Sequence, residues 1–331
     1  MFSRFLDLIA RYQLALILAA LAAGLVWPSI FLPLNPWNGF FLQVIMFSTG
    51  LRLDFVEFMK QAKDWRTLVL ANSMMLVILP FLVALPLAFF APEWTLPFVL
   101  AAAMPAGLTA PAVIAILGGK TSLAILIAVS TSVLSPFTIP LVLRVMAGQT
   151  VTIDVTSMMA NIAWVVIVPL ALSALVQWKI KRKRIERFVD PIRLANLAAF
   201  ALVIASVAAS SAGPTGAPTV TTPGAGFLGI GTDGVIIVIL MTVFWIGIAW
   251  LASAMLAWRD TVDRMTVSFC LIYMNTTLGV WIADKFFRET GIAPKLVAIF
   301  IATTLILPVF KLFVPKEKKK TFRKVYAVEQ M

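Results

Sequence analysis

Apolar residues run along this chain in long unbroken blocks, not in the two-residue alternation of a half-buried strand or the one-sided stripe of a surface helix. A helix that crosses the hydrocarbon core of a bilayer needs roughly 20 apolar residues. Ten blocks reach or approach that length: 12–32, 37–51, 67–90, 95–118, 121–146, 157–178, 192–211, 234–257, 263–286 and 293–314. The pattern predicts an all-α polytopic membrane protein of ten spans. The second block is short and needs a tilt or an incomplete crossing. Pro28, Pro33 and Pro36 mark a turn after the first block, and Ala91-Pro92-Glu93 marks one after the third. Residues 212–232, rich in Gly, Pro and Thr, read as an external connection. No small-residue cleavage site follows residues 1–11, so the first block reads as a retained span.

Two of the blocks are interrupted. The fourth holds Met104-Pro105-Ala106-Gly107-Leu108-Thr109-Ala110-Pro111. Two prolines six residues apart with a glycine between them do not fit one straight helix, because proline lacks the N–H and clashes with the turn before it. The ninth holds Tyr273-Met274-Asn275-Thr276-Thr277-Leu278-Gly279, a polar run inside an apolar block. The helix after each interruption carries a threonine five residues before a proline: Thr131 before Pro136, and Thr303 before Pro308. Five spans repeated must leave the second copy inverted in the membrane. Inverted repeats with matching interrupted helices are a transporter architecture, with the site where the halves meet. The expected organisation is a first repeat over 1–150, an inverted second repeat over 151–315 and a basic tail over 316–331.

Charge fixes the expected orientation. With the N-terminus cytoplasmic, 23 of the 27 Lys and Arg fall on the cytoplasmic side, most of them at 179–193 and 311–324, and only Arg144, Lys285, Arg288 and Lys295 fall outside. The positive-inside rule therefore favours ten spans with both termini cytoplasmic, in a bacterial inner membrane. The net charge of +12 fits anionic headgroups. Nucleic acid is not an expected partner, because no basic run is interleaved with stacking aromatics. Membrane lipids are.

Composition then removes chemistry. The chain is 61% hydrophobic and 13% charged, with no histidine and one cysteine, Cys270. His-based catalysis, His or Cys metal centres and internal disulfides are excluded. The carboxylates lie in connections or at span ends, and Asp284, beside Lys285, reads as half of a helix-end pair. No nucleophile–base pair stands within the spans, so the chain is not read as an enzyme. What remains is a set of neutral oxygens and half-helix ends. The candidate substrate-binding residues are Pro105, Gly107, Thr109, Asn275, Thr276, Thr277 and Thr303. The candidate ion-binding residues are Ser130, Thr131, Ser132 and Met274. Each hydroxyl alone has an ordinary use, a bond back to a carbonyl one turn earlier. Asn275 does not, since an amide in hydrocarbon needs several partners. Ser48, Thr49, Asn72, Ser73, Asn161 and Asn196 read as helix-to-helix hydrogen bonders.

These residues resemble the bile acid:sodium symporter superfamily. Met46-Phe47-Ser48-Thr49-Gly50-Leu51 followed by Asp54-Phe55 is similar to the family's segment after the second span. Pro105-Ala106-Gly107 is similar to its proline-glycine-glycine break, Ser130-Thr131 through Pro136 and Pro140 to its fifth span, and Asn275-Thr276-Thr277-Leu278-Gly279 to its second break. The resemblance implies two inverted five-helix repeats, with spans 1, 2, 6 and 7 as a panel rocking against a core of spans 3–5 and 8–10. It implies crossing broken helices 4 and 9, and import of organic anions commonly driven by sodium. The family's sodium ligands, however, fall here on Cys270, Met274, Ala110 and Pro111, none of which offers a comparable side-chain oxygen. The expectation is a secondary transporter of a small organic anion working by alternating access, with sodium the candidate coupling ion and no other cofactor. A sodium-independent or proton-linked exporter related to arsenite and auxin-type carriers is one alternative. A non-transporting membrane sensor is another.

Overall fold

The computed structural model describes residues 13–53, 58–59, 64–147, 154–180, 185, 188–212 and 230–306. The expected external connection, the basic tail, the end of the tenth block and most of the 179–187 run lie outside them. The described residues are helical, with no strand among them and one isolated antiparallel bridge.

In chain order the helices are α1 (Gln13–Val26), α2 (Pro28–Phe31), α3 (Asn38–Gly50), α4 (Trp65–Ser73), α5 (Leu79–Phe90), α6 (Pro92–Ala102), α7 (Ala110–Leu117), α8 (Thr121–Ala147), α9 (Val155–Lys179), α10 (Val189–Ala212), α11 (Thr232–Met255), α12 (Thr261–Ile272), α13 (Thr276–Phe286) and α14 (Ile292–Ile306). Five continuous helical runs are long and apolar enough to cross a membrane: Pro28–Gly50, Trp65–Phe90, Thr121–Met146, Val155–Lys179 and Thr232–Met255. Leu194–Ser210 and Ile292–Thr303 are shorter apolar helices. Large apolar side chains face outward along them. On α11, Ile236, Ile239, Leu240, Val243 and Phe244 form an exposed stripe at helical spacing, and Trp27, Trp37, Trp65, Trp178 and Trp258 are exposed near helix ends. An outward apolar band with tryptophans at its margins is the surface of an integral membrane protein.

Two expectations change. The proline-marked turn at 28–36 is helical: α2 runs into a tighter 3₁₀ segment, Leu32–Trp37, and on into α3. Pro28 and Pro33 stand in the first turn of their segments, where a missing N–H breaks no bond. The short second span thereby gains its length. The third span is also not uniform, since Met74–Ile78 is a wider π-helical turn between α4 and α5. Pro80 follows it, and a widened turn relieves the clash of a proline ring with the carbonyl four residues back.

The helices pack in matched pairs. α10 lies against α1 and α3, and α3 lies against α9. α5 pairs with α6, α11 with α12, α7 with α8, and α13 with α14. Crosswise, α14 packs on α6 and α8 on α12. Glycines allow the closest contacts. A Cβ on Gly24 of α1 would lie 2.1 Å from the Ala205 carbonyl oxygen of α10, and one on Gly50 would lie 2.2 Å from Ser173 Oγ of α9. Small residues let helix backbones approach where lipid offers no hydrophobic drive to association. Gly24→Leu therefore forces α1 off α10 and lowers the thermal unfolding midpoint in detergent, at a cost of roughly 1–3 kcal/mol. Gly247→Leu, where a Cβ meets nothing within 4 Å, leaves the midpoint unchanged.

Candidate functional site

Both interruptions are present, and both are shorter than the sequence implies. α6 ends at Ala102 and α7 starts at Ala110. Pro111 is thus no part of the gap: it sits in the first turn of α7, where proline is favoured. α12 ends at Ile272 and α13 starts at Thr276, so only Tyr273, Met274 and Asn275 are unwound. Asn275 closes the second gap because its side chain caps the new helix, with Oδ1 accepting from the Leu278 amide at 3.1 Å. Thr276 and Thr277 are the first residues of α13, and Thr109 stands immediately before α7.

The two gaps face each other and share backbone bonds. Gly107 N–H donates to the Tyr273 carbonyl at 2.8 Å, and Asn275 N–H donates to the Pro105 carbonyl at 2.8 Å. Ala106 and Met274 are the antiparallel bridge. Groups freed by unwinding in one helix are satisfied by the other, as a buried break in lipid requires. Gly107 is where the strands come closest: a Cβ there would lie 2.8 Å from the Tyr273 ring and 3.3 Å from the Met274 carbonyl oxygen. Tyr273 holds its place through a 2.9 Å hydroxyl bond with Thr109 and by stacking on Phe269, 5.2 Å between ring centroids. The sequence places it in the second interruption but not among the candidate binding residues. A tyrosine in a polar run carries no spacing signal, and its contact with Thr109 joins the two gaps through side chains.

The fifth-span hydroxyls part company. Thr131 is fully buried and bridges outward from its helix: it donates to the Ile127 carbonyl at 2.7 Å and accepts from the Ala106 amide of the first gap at 3.2 Å. Ser132 donates to the Ala128 carbonyl at 2.7 Å, the ordinary one-turn bond. Ser130 receives a 3.0 Å bond from Asn72 of α4. It also lines a cavity of about 630 Å³ between α4, α8 and α9, with Leu68, Asn72, Val129, Ile167 and Leu170. Asn72 Oδ1 there is buried without a protein partner. Thr303 bonds back to the Phe300 carbonyl at 3.1 Å, and Phe300 in turn packs where Gly279 leaves room. So Pro105, Gly107, Thr109, Thr131, Met274 and Asn275 gather at one crossing. Ser130, Ser132 and Thr303 lie on helices around it. Cys270 is fully buried on α12, three residues before Tyr273.

Asp284 is not paired with Lys285. Residues one apart on a helix do not face each other, whereas residues four apart do. Its partners are Arg288 at 3.0 Å, Asn35 at 3.0 Å and Ser210 at 3.0 Å. Lys285 turns instead to Asn161 Oδ1 at 2.5 Å and lies over the Trp281 ring. At the opposite end of the bundle Arg259 pairs with Asp64 and Asp263, Lys120 pairs with Asp263, and Arg259 also donates to Thr67.

Two broken helices thus exchange backbone bonds inside an apolar bundle, with four half-helix ends at one point. The chain belongs to the Sodium Bile acid symporter family, whose sequence pattern matches residues 39–213, just over half of the chain. That is a family of transporters and not of enzymes. The match includes the first gap; the second lies beyond it and is joined to it by the bonds above. The chain is also 25% identical, over 190 residues, to a Bacillus subtilis (strain 168) protein named as an uncharacterized sodium-dependent transporter, YocS. That alignment spans 56% of this chain and 58% of the relative's length.

The two hydroxyl neighbours make a direct test of the crossing. Thr131→Val keeps the shape and strips the Ala106 amide of its acceptor, which costs roughly 1–3 kcal/mol as a buried unmet donor. Ser132→Ala removes only a bond within its own helix and changes stability by less than about 1 kcal/mol. Thermal unfolding of the two variants side by side reads the difference, and equal effects would show that Thr131 does not support the gap.

Proposed function

We propose that this protein is a secondary transporter that moves a small organic anion by alternating access, with the substrate bound at the crossing of the two gaps. The observation that carries the reading is the convergence of the α7 and α13 N-termini at a mutually bonded break. The two N-termini supply positive partial charge without a buried cation, which suits an anion in a neutral site. Pro105 and Gly107 shape the path, Thr109, Thr276 and Thr277 offer hydroxyls, Thr303 stands on the flanking helix, and Asn275 offers its amide NH₂ while its oxygen caps α13.

The fold proposed with it is ten spans in two inverted repeats, joined near residue 150. Support comes from packing pairs that exchange under a five-span shift. The contact of α1 with α10 corresponds to that of α9 with α3, and α6 on α14 corresponds to α12 on α8. Panel helices are then α1–α3, α9 and α10, and the core is α4–α8 with α11–α14. The cytoplasmic placement of both termini in a bacterial inner membrane rests on the charge distribution, and the connections meet in the two groups that this placement requires. Asn35, Asn161, Ser210 and Asp284 share the end expected outside, and Asp64, Lys120 and Arg259 share the end expected inside.

A second reading concerns the coupling ion. The relative's name speaks of sodium dependence, and a sodium ion requires several oxygens. Here Thr131 Oγ1, Asn275 Oδ1 and the Pro105 and Tyr273 carbonyls are already bonded to protein, while Cys270, Met274, Ala110 and Pro111 occupy the family's ligand positions. That favours a sodium-independent or proton-linked carrier, which includes an exporter.

Purified protein in proteoliposomes, given a broad panel of labelled organic anions, is expected to show saturable uptake of at least one. The same uptake measured under a sodium gradient, a proton gradient and neither identifies the coupling. Asn275→Ala and Asn275→Asp both abolish it while the protein stays folded. The aspartate keeps the cap and loses the donor, so retained uptake in Asn275→Asp would move the substrate away from this amide. Absence of uptake for every anion under all three conditions would overturn the transport reading.

A further inference from the structure

Among the described residues, the polar contacts divide unevenly between the two ends of the bundle. Among the described residues at the end where Arg259 lies, the clusters named here stay within one of the two proposed bodies. Asp64, Thr67, Lys120, Arg259 and Asp263 all belong to the core. The bonds from Asn196 to Ser48 and Thr49, and from Gln177 to the Gly50 carbonyl, lie within the panel. Toward that end the boundary of α4 and α8 with α9 holds the 630 Å³ cavity.

At the other end the contacts cross the boundary, and they centre on one carboxylate. Asp284, in the last turn of α13, is 5% exposed. Its Oδ2 accepts from Asn35 Nδ2 at 3.0 Å and its Oδ1 from Ser210 Oγ at 3.0 Å, both from panel segments. Arg288 of the core donates to Asp284 Oδ2 at 3.0 Å and to Asn35 Oδ1 at 2.5 Å. Lys285 adds a bond to Asn161 of the panel helix α9.

We propose that Asp284 is the latch of the outer gate: its bonds to Asn35 and Ser210 hold panel to core in the state described here and break when the protein opens to the outside. The inference rests on the alternating-access reading and adds to it the residue that sets the balance between the two states. The chemistry suits a latch. A carboxylate makes strong bonds to neutral donors while the gate is shut, and water replaces those donors when it opens. Arg288, four residues on in the same body, stays with Asp284 through the motion, so the charge is not left unpaired.

Spin labels at Trp37→Cys on the panel and Glu289→Cys on the core, both exposed positions near the latch, report the separation. Cys270→Ala is included in every sample, and pulsed dipolar spectroscopy is performed in nanodiscs. The parent shows predominantly the short separation. Asp284→Ala raises the ratio of long to short separations by about tenfold, equivalent to about 1.4 kcal/mol at 25 °C. The double variant Asn35→Ala/Ser210→Ala keeps the charge and removes its panel partners, and it shifts the ratio in the same direction. It also decides the matter if Asp284→Ala does not fold. An unchanged distribution in folded protein, judged by a single symmetric peak on size exclusion, overturns the latch. The two readings fail separately. Shifted distances in a protein that takes up no anion would leave the latch and remove transport. Uptake with unshifted distances would leave transport and remove the latch.

Discussion

Two backbone hydrogen bonds, Gly107 N–H to the Tyr273 carbonyl and Asn275 N–H to the Pro105 carbonyl, set the constraint on which the rest of the structure depends. An unwound backbone in lipid has no water to turn to, so each gap is viable only where the other stands. That requirement forces α6–α7 and α12–α13 to cross at their midpoints. It also dictates the local residues. Pro105 offers a carbonyl and asks for no acceptor, Gly107 clears the Tyr273 ring, and Asn275 starts the next helix without spending its backbone amide. Thr131 then buttresses the crossing from α8, using its hydroxyl as acceptor for Ala106 and as donor to Ile127.

The helices and both gaps were legible because their causes are local. Long apolar runs, prolines and a polar run in hydrocarbon each act within a few residues. The roles of individual side chains were less legible, because they depend on direction around a helix. Ser130, Thr131 and Ser132 are consecutive and look equivalent in sequence. About 100° of rotation per residue sends them to Asn72, to the first gap and to their own helix, respectively. The same geometry separates Asp284 from Lys285 and joins it to Arg288. The turn expected at 28–36 failed for a related reason. Prolines mark helix starts as readily as helix ends: Pro28 and Pro33 begin successive helical segments here, and Pro36 lies within the second of them.

At the crossing, the polar groups of this chain are used for rigidity. Where the family resemblance places a glutamate, a glutamine and a serine-asparagine pair, the chain has Cys270, Met274 and Ala110-Pro111. Cys270 is fully buried in an apolar setting and Pro111 starts a helix, so both contribute packing and shape. The Thr131 hydroxyl, the Asn275 side-chain oxygen and the Pro105 and Tyr273 carbonyls hold the gaps together, while Thr276 and Thr277 place their hydroxyls in the first turn of α13. A crossing built this way draws its polarity from helix ends and from very few side chains, which leaves it neutral in net charge and stiff.

Stiffness at the centre makes movement at the edges the natural way for such a molecule to change state. A crossing held by backbone bonds has no second arrangement at small cost, because separating the gaps leaves four peptide groups unmet in lipid. Side-chain bonds at a water-facing margin do have one, since water can take the place of either partner. The distribution of polar contacts follows that logic. Bonds at the depth of the gaps tie α6–α7 to α12–α13, and those around Asp284 tie α13 to α9, α10 and the 3₁₀ segment Leu32–Trp37, with no backbone bond between these groups among the described residues. On the alternating-access reading the first set must survive every cycle and the second must not. One set is therefore made of backbone amides and carbonyls and the other of side chains: a carboxylate, two amides, a serine, a lysine and an arginine.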